Sequence, residues 1–159
     1  MCMGFSIIRR AILMALLAGL TGPAVHAADG QLSEAEPLIR PAGDTSLDSF
    51  LWTHRPIVVL ADSPADPRFA DQIEMLEAEI ERLAERDVVV LTDTDPSVLS
   101  PIREQLRPRG FQLVVIAKDG TIIARKPFPS SVREITRTID KQPARQREVE
   151  ERRGANFGN

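Results

Sequence analysis

Two unbroken apolar runs, Pro56-Ile57-Val58-Val59-Leu60-Ala61 and Val88-Val89-Val90-Leu91-Thr92, constrain this chain more than any other feature. Strands that read as continuous aliphatic and β-branched residues, with no polar alternation, are covered on both faces. Between the runs, Phe69, Ile73, Leu76, Ile80 and Leu83 recur at steps of four and three, and Asp71, Glu74, Glu77, Glu79, Glu81 and Glu85 fill other positions. This is the pattern of one amphipathic helix with an acidic outer face. Asp66-Pro67 marks its start, because Asp accepts from free first-turn amides and Pro suits the first helical position; the expected helix spans 67–86. The acidic face reads as a solvated surface, with docking as the other reading.

Downstream, Asp95-Pro96 repeats the cap-plus-proline signal for a shorter helix carrying Val98, Leu99, Ile102 and Leu106, with Pro101 in its first turn or so. Phe111–Ala117 and Thr121–Arg125 then flank Lys118-Asp119-Gly120, the signature of a tight hairpin. Ser131-x-x-Glu134 fits a capping box opening a last helix with Val132, Ile135 and Ile139 on its inner face. A right-handed crossover makes the first two strands parallel, and the hairpin adds beside the first strand. The expected architecture is α/β and thioredoxin-like: a four-stranded mixed sheet, two parallel strands plus a C-terminal β-hairpin, flanked by helices.

Ahead of this domain, Arg9-Arg10, the apolar stretch Ala11–Ala18, Gly22-Pro23 and Val25-His26-Ala27 have the layout of a signal peptide cleaved after Ala27. Left uncleaved, the same leader would be a membrane anchor. Its apolar core is shorter than a spanning helix needs, so no membrane span is expected after cleavage. The expected organisation is a signal peptide at 1–27, a flexible tether at 28–46, the domain at 47–141 and a polar C-terminal tail at 142–159. Cleavage places the protein in the periplasm or outside the cell. Of 20 Lys and Arg, the leader removes Arg9 and Arg10, leaving 18 against 23 Asp and Glu, a formal charge of −5. Nucleic acid is not an expected partner of such a chain.

The sole cysteine, Cys2, falls in the leader. In thioredoxins the reactive thiol stands where the first strand gives way to the first helix, whose N-terminus stabilises a thiolate. Here that loop is Ala61-Asp62-Ser63-Pro64-Ala65-Asp66-Pro67, and neither Asp nor Ser exchanges disulfides. Cysteine-dependent thiol-disulfide oxidoreductase and peroxidase activities are therefore excluded for the mature chain. The thioredoxin proline next to the third strand is also missing, since Gly110 precedes Phe111 and Pro108 lies earlier; a cis peptide at Arg107-Pro108 stays open.

Over about residues 50–150 the chain resembles a bacterial family catalogued only as a domain of unknown function, number 4174. Related modules occur in animal extracellular-matrix and sushi-repeat proteins. The likeness rests on Trp52-Thr53-His54-Arg55-Pro56, Arg86-Asp87-Val88-Val89, Lys118-Asp119-Gly120 and Ile139-Asp140-Lys141-Gln142-Pro143-Ala144-Arg145-Gln146-Arg147-Glu148. It departs from the family at Gln142 and Ala144, where methionines flanking the proline are expected. The resemblance implies a thioredoxin-like fold and a secreted setting, and brings no reaction with it.

Three loops are expected at one end of the sheet, and their candidate binding residues are Asp62, Ser63, Asp66, Asp93, Asp95, Arg107 and Arg109. The four carboxylates suit a hard cation on residue type. They equally suit helix caps and turns, with Arg107 and Arg109 compensating charge. His54 is the one histidine left after cleavage, so a zinc site of several His or Cys ligands is excluded. A Ser63–His54–Asp62 hydrolase lacks the Gly-x-Ser-x-Gly turn that would present its nucleophile. Trp52 reads as a lid on the domain edge or as a stacking platform. The tail Arg145–Arg153 mixes both charges, which suggests extended helix or disorder rather than a membrane-binding cluster.

The residues point to an exported, non-catalytic binding or structural module with no catalytic residue, metal or cofactor, acting on a protein partner. The alternative is an enzyme or metal-dependent site at the Asp62, Asp93 and Arg109 end.

Overall fold

A computed structural model describes residues 36–156. The expected signal peptide and the start of the expected tether lie outside the described residues. The chain runs β1 (Ile39–Pro41), a short 3-10 turn (Leu47–Phe50), β2 (Arg55–Leu60), α1 (Pro67–Ala78), α2 (Ile80–Ala84), β3 (Val88–Asp93), α3 (Pro101–Leu106), β4 (Gln112–Ile116), β5 (Ile122–Lys126), α4 (Val132–Asp140) and α5 (Pro143–Asn156). One mixed sheet holds the strands in the order β1-β3-β2-β4-β5. β2 and β3 are parallel, in a register that sets Ile57 opposite Val90. β4 lies antiparallel to β2 and β5 antiparallel to β4.

The sheet has five strands where four were expected. The fifth, β1, comes from the expected tether: it pairs with β3 in parallel, Arg40 opposite Leu91, and Ala42 extends the contact by donating its N–H to the Thr92 carbonyl at 2.9 Å. Three residues ending in proline carry no strand pattern, but an edge strand tolerates a proline whose missing N–H faces away from the ladder.

Both faces of β2 and β3 are covered, as their unbroken apolar runs require. On one face Ile57, Val59, Val90, Leu113 and Val115 pack with Leu76 of α1, Leu83 of α2, and Val132, Ile135 and Ile139 of α4. On the other, Val58, Leu60, Leu91, Val114 and Ile116 pack with Ile102 and Leu106 of α3, and with Leu47 and Phe50 of the 3-10 turn. Each fully buried aliphatic side chain contributes roughly 1.5–3 kcal/mol. Buried Gln72 ties the layers together, accepting the Ser130 N–H at 2.8 Å and donating to its carbonyl at 3.1 Å.

Local signals hold unevenly. Asp66 caps α1 with Pro67 in its first turn, and Ser131 caps α4 by accepting the Glu134 N–H. The expected 67–86 helix breaks at Glu79, where the backbone leaves the helical region (φ −131°, ψ 39°), with Leu76 before it and Leu83 after it both fully buried. Asp95-Pro96 starts no helix. Ser100-Pro101 does: Ser100 Oγ accepts the Arg103 N–H at 3.2 Å, and Pro101 sits at the permitted first position. In the hairpin only Gly120 takes a positive φ, +83°, so the turn needs one glycine and no left-handed aspartate. Arg107-Pro108 is trans, with Arg107 itself left-handed (φ 48°) as the C-cap of α3.

Of the two readings of the polar tail, extended helix is the one found. Residues 143–156 form α5, whose Arg145 is buried and whose Glu148 and Val149 are half-buried. Among the described residues no helix is long and apolar enough to cross a membrane.

Candidate functional site

The C-terminal ends of β2 and β3 carry the loops that hold the sequence-nominated residues. Ala61 donates its N–H to the Asp93 carbonyl at 3.0 Å, which joins the first two loops. Gly110 turns at φ +64°, and a Cβ placed there would lie 3.9 Å from Asp62 Oδ2, which brings the third loop beside the first.

Three of the four carboxylates serve the chain itself. Asp66 accepts the Arg68 N–H at 2.9 Å and pairs through both oxygens with the Arg68 guanidinium, at 3.0 and 2.7 Å. The side-chain bond from Arg68, joined by the first-turn N–H groups, holds the Asp66 carboxyl below the usual carboxylate range. The same guanidinium lies 5.5 Å over the ring of buried Phe111. Asp93 accepts from Arg103 Nε at 2.8 Å and from the Ser100 hydroxyl at 2.6 Å, and the Arg103 side chain reaches on to the Ala61 carbonyl. Asp95 accepts both the hydroxyl and the N–H of Ser97, at 2.6 and 2.9 Å, and these bonds lower its carboxyl. Ser63 Oγ accepts the Ala65 N–H at 3.2 Å.

Asp62, Arg107 and Arg109 remain exposed, and Arg107 and Arg109 form no ion pair with the described residues. Among those residues no group of three or more His, Cys, Asp or Glu is placed to hold a metal ion. A shallow depression of about 280 Å³ lies here, lined by Phe69, Asp93, Asp95, Val98 and Ser100 among others. Val98 is 55% exposed and Leu99 73%. The loop thus presents apolar side chains to solvent, while Asp93 is held by Ser100 and Arg103 and exposed Asp95 is held by Ser97.

The opposite end of the sheet holds a constellation that the candidate residues missed. Arg55, at the start of β2, is 2% exposed; it donates to the Arg86 carbonyl at 2.9 Å and to Glu148 Oε1 at 2.6 Å. Asp87 receives Lys118 Nζ and Arg152 Nη2, each at 2.9 Å. Arg145 bonds Glu148 at 3.3 Å and the Glu85 carbonyl at 3.1 Å, and Arg152 reaches that carbonyl too. The carbonyl ends α2, where cationic donors are favoured. Arg86 forks onto both oxygens of Asp140 at 3.0 Å. Burial alone would raise the carboxyls of Asp87 and Glu148. Bonds from Lys118 to Asp87 and from Arg55 to Glu148, with the other surrounding cations, outweigh it and hold both below the usual range.

Arg55, Arg86, Asp87, Lys118, Asp140, Arg145 and Glu148 are all members of the short motifs that carried the family resemblance. Those motifs lie far apart along the chain and meet in one ion network. Trp52 stands at the same end. It donates its N–H to the Lys118 carbonyl at 2.7 Å from a left-handed backbone (φ 64°), and it is 75% exposed, so it is no lid.

A family model described as Domain of unknown function (DUF4174) matches residues 46–148. No curated protein matches the chain. Among solved structures, similarity extends to the reduced 2-Cys peroxiredoxin of Plasmodium vivax, with 17% identity over 65% of this chain and 84% of that one at a TM-score of 0.49. It extends also to thioredoxin peroxidase I of Plasmodium yoelii, with 18% identity, 59% and 75% coverage and a TM-score of 0.43. A structure described as a malarial protein has 13% identity, 57% and 98% coverage and a TM-score of 0.47. All three TM-scores lie below 0.5, and the fold rests on the sheet order of the chain itself.

Proposed function

For this chain, which belongs to the DUF4174 family, we propose a non-catalytic binding or structural module on a thioredoxin-like scaffold, exported after cleavage near Ala27 and working through contact with a protein partner. One observation carries the reading. Where a thioredoxin would hold its reactive thiol, Asp66, Asp93 and Asp95 are engaged with Arg68, Arg103, Ser100 and Ser97, while Val98 and Leu99 beside them face solvent. Carboxylates already held by Arg68, Arg103, Ser100 and Ser97 are less available to activate a substrate or collect a cation. Exposed aliphatic groups on a supported loop suit protein contact.

The test is affinity capture from a periplasmic extract using the mature chain and its Leu99→Asp variant. A reproducible partner that the variant fails to retain supports the reading. A cation-dependent rise in melting temperature abolished by Asp62→Asn would transfer the function to a metal-dependent site. Disulfide reductase turnover by the mature chain would refute it outright.

A further inference from the structure

The helix α5 turns one face to the domain, with Arg145 buried, Glu148 and Val149 half-buried and Arg152 exposed, at the spacing i, i+3, i+4, i+7 by which helices usually present an apolar stripe. Three of these four positions are charged. Arg145 and Arg152 hold the Glu85 carbonyl, Arg152 also holds Asp87, and Glu148 meets Arg55, with Lys118 Nζ 3.6 Å away. Val149 is half-buried, and Ala144 and Ala155 are exposed. Helices in proteins owe most of their stability to a packed apolar face, and Gly154 further weakens this one.

We propose that α5 is an electrostatic strap, docked on the N-terminal end of β2 and β3 by ion pairs and released as a unit, with the sheet intact, when those charges are screened. The contacts divide along this line. The inner face of α4 joins the sheet through Val132, Ile135 and Ile139, with one peripheral ion pair from Glu134 to Lys126 of β5, and the sheet core closes without any residue of α5. The hydrogen bonds joining α5 to residues 55–118 are all ionic or charged bonds to a carbonyl, and half-buried Val149 is the one apolar side chain on that face. The Debye length falls from about 10 Å at 0.1 M salt to about 3 Å at 1 M, which weakens most the pair of exposed Arg152 with half-buried Asp87 and weakens least the buried Arg55 pair. Release would free Lys118, whose side chain is 19% exposed beneath the strap, along with Arg55 and Asp87.

Hydrogen exchange of the mature chain at 0.05 M and 1 M NaCl, with acetylation of Lys118 followed in parallel, tests the strap. At 1 M salt the amides of 143–156 should exchange at least about 5-fold faster, those of β2, β3 and β4 should change less than about 2-fold, and Lys118 labelling should rise with the helix. Glu148→Gln should show the fast α5 exchange already at 0.05 M. Arg152→Gln, an exposed change that leaves Arg55 paired, should show an intermediate rate and serves if Glu148→Gln fails to fold. Salt-insensitive exchange of 143–156, acceleration in step with the sheet strands, or faster exchange without added Lys118 labelling would each overturn the proposal.

Discussion

Consecutive helices α4 and α5 use the same spacing for opposite chemistry. The inner positions of α4 are Val132, Ile135, Thr136 and Ile139, all buried; the corresponding positions of α5 are Arg145, Glu148, Val149 and Arg152. The first helix is held by removing apolar surface from water, a non-directional force that salt does not weaken. The second is held by directed bonds to Arg55, Asp87 and the Glu85 carbonyl, which work only in one geometry and one charge state. One architectural rule, a face presented every three or four residues, therefore yields a permanent part of the core in one case and a conditional attachment in the other.

The largest expected effect lies on the aliphatic side. Ile139 is fully buried among the α4 face of the core, so Ile139→Ala should destabilise the domain by about 3–4 kcal/mol in urea unfolding. That loss should be the same at 0.05 M and 1 M NaCl. A loss that shrinks with salt would mean that α4 also leans on charge, and the contrast between the helices would fail.

Arg55→Ala comes next. It removes the cation that Glu148 and the Arg86 carbonyl share, at a position 2% exposed, and should cost about 3 kcal/mol at low salt. Part of that cost is the undocking of α5, so helical signal from 143–156 should fall more than the sheet signal does. A cost under about 1 kcal/mol would mean that the network decorates a helix held by other means.

Acid should separate the helices without mutation. The carboxyls of Asp87 and Glu148 are held below their ordinary range in the folded chain, despite burial acting against it, by bonds from Lys118, Arg55 and neighbouring cations. A depressed carboxylate contributes stability above its unfolded pKa of about 4, and that contribution is lost as pH falls through the lower folded value. Stability in urea should be flat from pH 7 to about 5 and then decline, with α5 exchanging before α4. Asp66, Asp95 and Asp119 are depressed as well and decline in the same window, so the informative quantity is the difference from Glu148→Gln. A wild-type curve parallel to that of Glu148→Gln would remove Glu148 from the account.

The same contrast explains what was legible in the sequence. Signals that act within a few residues could be read: the Asp66 and Ser131 caps, the hairpin at Gly120, the aliphatic stripe of α4 and the doubly buried β2 and β3. Signals that act across the chain could not. Arg55 finds Glu148 93 residues away and Asp87 finds Arg152 65 residues away, and nothing near either residue announces the partner. β1 escaped notice because three residues ending in Pro41 gain strand identity only from β3. Ser100-Pro101, and not the expected Asp95-Pro96, opens α3. Ser100 prevailed because its hydroxyl serves both the Arg103 N–H and Asp93, whereas Asp95 closes a local turn on Ser97. The nominated loop residues do lie near one another, yet the short motifs behind the family resemblance mark the other end of the sheet.

The smallest expected effect tests whether both helices begin alike even though they are held differently. Ser131 Oγ accepts the Glu134 N–H at 3.3 Å in an exposed first turn of α4, so Ser131→Ala should cost about 1 kcal/mol. A neutral cap bond feels little screening, so the loss should persist at 1 M NaCl and at pH 4, where the attachment of α5 is weakening. The helix α5 has no equivalent side chain before it: Gln142 precedes Pro143, and its carbonyl accepts the Gln146 N–H at 3.1 Å. Gln142→Ser should therefore strengthen α5 locally and slow exchange of its first turn, while leaving the salt sensitivity of its docking unchanged. If that cap also abolished the salt response, the helix would be limited by its own formation and not by the ion pairs on its face.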